Sequence, residues 1–74
     1  MTVKRHYQLV ALTAQGGRDT TYHHGKEPVR RQLRKYGKQV IRCEVWVHLG
    51  PAVWRQLYLG RPVLSRLFDE ENAL

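Results

Sequence analysis

Cysteine is almost missing from this chain. Cys43 is the only one among 74 residues, so no intramolecular disulfide can form, and the disulfide-stapled class of small secreted domains is excluded. Long apolar runs are also lacking. Nothing approaches the roughly 20 consecutive apolar residues of a membrane span, and the short run Leu9-Val10-Ala11-Leu12 does not reach the length of a signal-peptide core. No membrane partner is expected, and a reducing cytoplasm suits a lone thiol. Acidic residues are few, six against thirteen Lys and Arg. Internal repeats and low-complexity segments are absent, and the length allows one small domain that buries only about 60% of its unfolded surface.

What the chain has in excess is positive charge, and its distribution is uneven. All thirteen bases lie between Lys4 and Arg66, where only Asp19, Glu27 and Glu44 oppose them, while Asp69, Glu70 and Glu71 form an acidic end without a base. The division expected is a basic domain over 1–68 followed by a flexible acidic tail over 69–74. A cationic body of this size is drawn to nucleic acid or to an acidic protein surface. The densest stretch runs from Glu27 to His48 and holds Arg30, Arg31, Arg34, Lys35, Lys38 and Arg42 against Glu27 and Glu44.

Residue patterning predicts an α+β fold, a small single domain with two β-hairpins around one short basic helix. From about residue 3, Val3, Arg5, Tyr7, Leu9 and Ala11 alternate with Lys4, His6, Gln8, Val10 and Leu12, the period of a strand. Gly16-Gly17 supplies a turn, and Arg18 to His23 returns with β-favouring Thr and Tyr, giving a hairpin over about 3–23. Pro28 suits the first helical position. Val29, Leu33 and Tyr36 then form one apolar stripe, so a helix is expected over about 28–36, stopped by Gly37. The second hairpin, about 39–59, starts with the most regular strand. Ile41, Cys43, Val45 and Val47 share its apolar side, and Arg42, Glu44, Trp46 and His48 its polar side. Residues 52–59 satisfy either a strand or a helix; the aromatics and the Gly60 stop favour a strand paired back on 40–48. Val63, Leu64, Leu67 and Phe68 fit a short helical turn before the tail.

The chemistry-bearing residues point to binding rather than catalysis, and no enzyme activity is expected. Arg30, Arg34 and Lys38 follow one helical ridge, Arg31 and Lys35 the next. Arginine's planar fork fits phosphate and carboxylate alike. Ordinary solvated helix faces mix signs, whereas this one has no acid after Glu27. Arg42 and Trp46 on the polar sheet face add a base beside an aromatic, an arrangement used for stacking on single-stranded RNA and for anchoring protein partners. With Lys4 and Arg5 near the start, the candidate partner-binding set is Lys4, Arg5, Arg30, Arg31, Arg34, Lys35, Lys38, Arg42 and Trp46. The histidines, His6, His23, His24 and His48, lack the paired spacing of a zinc site, and neither a metal nor any other cofactor is expected. Two histidines with a lysine could serve a small ribonuclease toxin, but no fixed spacing supports it. Ser65, Thr13 and Cys43 have no evident base beside them in sequence, and Gly16-Gly17 is not followed by the lysine of a phosphate loop.

A compact basic body, an aromatic-bearing sheet and an acidic tail within fewer than eighty residues together resemble phage-encoded host-takeover proteins. More narrowly, the chain resembles the small transcription regulators with which lytic Xanthomonas phages bind host RNA polymerase. The resemblance is one of length and character over the whole chain, without a diagnostic motif, so no site residue is carried over from it. It implies binding to host RNA polymerase, inhibition of initiation and antitermination at intrinsic terminators; a monomer in the bacterial host cytoplasm is expected. The alternative from the residues themselves is a small RNA- or DNA-binding module.

Overall fold

The computed structural model describes residues 4–73; Val3, assigned by alternation to the first strand, and Leu74 at the end of the tail lie outside them. The elements are β1 (His6–Thr13), β2 (Arg18–His24), α1 (Lys26–Tyr36), β3 (Val40–Gly50) and β4 (Val53–Gly60), with 3-10 turns at Gly37–Gln39 and Asp69–Ala73. The α+β expectation holds, and both hairpins form. They merge into one four-stranded sheet in the order β2-β1-β3-β4, in which every neighbouring pair is antiparallel. Strands β2 and β3 therefore flank β1 in the same direction, and α1 carries the chain from one to the other.

The core lies on the helix side of the sheet. Tyr7, Leu9 and Ala11 from β1, Cys43, Val45 and Val47 from β3 and Leu57 from β4 pack with Val29 and Leu33 of α1 and with Leu67 and Phe68. Two turns of apolar stripe are too little to hold an isolated helix of this length; contact with the sheet supplies the rest. The helix opens two residues before Pro28, after Gly25 at φ 94°. Pro28 still falls within the first turn, where its missing N–H has no intrahelical partner to lose. Gly37 ends the helix at φ 60° and donates its N–H to the Leu33 carbonyl.

One departure from the alternation has a physical cause. Register shifts between Leu12 and Thr13, so that Thr13 pairs with Val40 and Ile41 is the unpaired extra residue. A bulge turns such a residue out of the pleat. Ile41, expected on the apolar side, is therefore 54% exposed, while Val40 takes the core position. The segment leading into the acidic end packs back on the domain. Residues 63–71 advance by successive turns, with Arg66 N–H to Val63 O, Asp69 N–H to Arg66 O and Glu71 N–H to Phe68 O at 2.9–3.3 Å. Leu67 and Phe68 are buried, and that anchorage delivers Glu71 to the protein surface beside β1. Among the described residues, no helix is long and apolar enough to cross a membrane.

Candidate partner-binding surfaces

The first surface is a cleft at the start of α1. Gly25 N–H bonds the Arg5 carbonyl at 2.8 Å, which ties the entry of β1 to the β2–α1 junction and sets Lys4 and Arg5 beside Lys26 and Arg30. The cleft has a volume of about 500 Å3 and is lined by those four cations, with Tyr7, Glu27 and Glu71. A side chain at position 25 would bring its Cβ within 3.2 Å of Lys4 Cδ, so glycine serves both the positive φ and the close approach. Glu71 occupies the cleft as an internal anion. It accepts a hydrogen bond from the Tyr7 hydroxyl at 2.5 Å and lies 3.3 Å from Lys26 Nζ and 4.0 Å from the Arg5 guanidinium. Burial, followed by the hydrogen bond and charge of Glu71, raises the Tyr7 phenol well above its ordinary range.

Arg30 is committed to the fold. Its Nη1 donates to Glu27 at 2.5 Å, its Nε to the Leu64 carbonyl at 3.4 Å, and its guanidinium sits 5.1 Å from the Phe68 ring centre. The outward ridge of α1, in contrast, is unopposed. Arg31, Arg34 and Lys35 share the side away from the apolar stripe, and Lys38 follows in the 3-10 turn; all four are exposed. Each acid of the basic body is engaged elsewhere: Asp19 accepts from the Tyr36 hydroxyl, Glu27 from Arg30, and Glu44 from Trp46 and Gln56. Among the described residues, the ion pairs use Arg5, Lys26 and Arg30 and none of the ridge cations.

Arg42 and Trp46 do not join this surface. They alternate with buried Cys43 and Val45 and so face away from the helix, on the open side of the sheet. The nine residues singled out from the sequence thus divide into a helix-side group of seven cations and an open-face pair. Around that pair the structure adds what sequence reasoning missed. Register sets His6 opposite His24 and His48 opposite Trp54, and their rings form one row across all four strands. Centroid separations are 3.9 Å for His24–His6, 6.1 Å for His6–His48 and 4.7 Å for His48–Trp54. Tyr22 on β2 closes on Trp54 of β4 at 6.2 Å. The strand parity of His6, His24 and His48 was legible, but the cross-strand register was not. His23 points the other way; its Nε2 is 2.8 Å from Thr21 Oγ1, and burial lowers its pKa. The three open-face histidines form a line rather than a ligand sphere. Among the described residues, no group of three or more His, Cys, Asp or Glu could hold a metal ion.

No protein-family model, curated protein or solved structure matches this chain.

Proposed function

We propose that this protein is a non-enzymatic, phage-type transcription regulator that binds host bacterial RNA polymerase in the host cytoplasm, inhibiting initiation or promoting antitermination. The observation that carries the reading is the helix-side surface. A cleft framed by Lys4, Arg5, Lys26 and Arg30 continues into the exposed ridge of Arg31, Arg34, Lys35 and Lys38. The cleft already holds one carboxylate, that of Glu71, which supports an acidic protein surface as the complementary partner. Exposed guanidinium groups pair with carboxylates through two parallel hydrogen bonds, and their desolvation cost is lower than that of ammonium groups. The resemblance to small polymerase-binding phage regulators in length, charge and acidic end points to the same partner.

The test is a tagged pull-down from bacterial lysate, with and without nuclease, read by mass spectrometry. Large polymerase subunits retained after nuclease support the reading. Loss of every partner on nuclease treatment rejects it in favour of nucleic-acid binding.

A further inference from the structure

The open face of the sheet offers a different kind of surface from the cationic helix. Antiparallel sheets can leave one face solvated, and then polar side chains normally cover it. Here the face carries planar rings from every strand. Tyr22 is 67% and Trp54 37% exposed, although they stand on the two edge strands. In a flat sheet those edges lie about 14 Å apart. Their 6.2 Å ring separation therefore requires a coiled sheet with both side chains leaning inward. Bulges between Val45 and Trp46 and between His48 and Gly50 promote that coil.

We infer that this concave face is a binding platform for single-stranded nucleic acid, with bases stacking on Trp54, Tyr22 and the neighbouring histidine rings. The chemistry of the face selects this occupant. Aromatic rings anchor protein partners as well as bases, but here four of them stand in one cross-strand row with arginines on the same face, a combination that matches unpaired bases and their phosphates. Arg42 and Arg18 flank Leu12 in one cross-strand row of the same face, where they can neutralise phosphates. The acid of the face, Glu44, is turned inward on Trp46 Nε1 at 3.1 Å and Gln56 Nε2 at 3.3 Å. The platform lies on the side of the sheet away from Arg31 and Arg34, so it is independent of the polymerase reading.

The test uses the full chain and a short fluorescein-labelled oligouridylate, its deoxythymidylate counterpart and an abasic strand of equal length, titrated at low salt. Base-bearing strands should bind more tightly than the abasic strand. Trp54→Ala should weaken them by roughly 5- to 150-fold, the equivalent of one stacked base, and Trp54→Phe should restore most of the loss. Tyr22→Ala, at an edge position outside the core, should lower affinity in the same way if Trp54→Ala fails to fold. Arg31→Glu with Arg34→Glu should leave the ratio of base-bearing to abasic binding unchanged. Equal affinity for abasic and base-bearing strands overturns the inference, as does binding indifferent to Trp54 and Tyr22. Absence of binding at low salt overturns it too.

Discussion

The hydroxyl of Tyr7 donates to Oε2 of Glu71 at 2.5 Å, across 64 residues of chain. This bond joins the first strand to the acidic end, and Glu71 also reaches Lys26 and Arg5. A hydrogen bond to a charged partner contributes about 1.5–3 kcal/mol. Tyr7→Phe should therefore lower the melting temperature on the order of 10 °C while leaving the circular dichroism of the fold intact. The pH dependence has a defined sign. Because the folded phenol titrates above its unfolded value, its contribution is fully present below about pH 10 and is lost as pH rises further. Urea titrations at neutral and alkaline pH should show that decline in the wild type and a smaller one in Tyr7→Phe. A flat wild-type profile contradicts the assignment.

Arg30 and Arg31 are sequence neighbours with opposite roles. Arg30 bridges Glu27, the Leu64 carbonyl and the Phe68 ring, whereas Arg31 is exposed. Arg30→Ala should destabilise the domain by about 1–2 kcal/mol, the scale of a partly desolvated cation on an aromatic ring. Arg31→Ala should change stability by less than about 0.5 kcal/mol. Chemical denaturation of both variants checks the difference, and equal losses reject it.

Ala52 is the one non-glycine residue with positive φ among those described, at 59°. It follows Pro51 in the turn that joins Gly50 to its register partner Val53. A left-handed conformation costs an L-residue about 1–2 kcal/mol, and glycine avoids the clash at some cost in unfolded-state entropy. Ala52→Gly should raise stability by roughly 0.5–1 kcal/mol, measured as a shift of the denaturation midpoint. A destabilised variant would falsify this account of the turn.

Cys43 is fully buried, and burial with the neighbouring Glu44 charge pushes its thiol up to about 11. The thiolate is the reactive form. In native protein at pH 8, a thiol-specific disulfide reagent should label Cys43 only on the timescale of unfolding, and immediately in denaturant. Fast native labelling contradicts the buried position.

Much of the scaffold was legible because it rests on local period. The strand period of Cys43, Val45 and Val47 and the helical stripe of Val29, Leu33 and Tyr36 named the core-facing sides directly, and Gly37 marked the helix stop. Ile41 misled because a bulge is a property of pairing between two strands, not of either sequence. The ring row escaped notice for the same reason: parity assigns His6, His24 and His48 to faces, but only register makes them neighbours. Arg30 looked like its fellow arginines because its partners, Leu64 and Phe68, arrive from the far end of the chain. The contact of Glu71 with Tyr7 was not legible either, because it joins residues 64 positions apart.

The helix-side cations are tested by binding of purified, nuclease-treated bacterial RNA polymerase to immobilised protein. Wild type and the Arg31→Glu, Arg34→Glu double variant should be compared at equal folded concentration, verified by circular dichroism. Wild type should bind saturably, with binding weakened by added salt and lost in the double variant. Undiminished binding by the charge-reversed variant, or no binding by wild type, would contradict the proposed role of these cations.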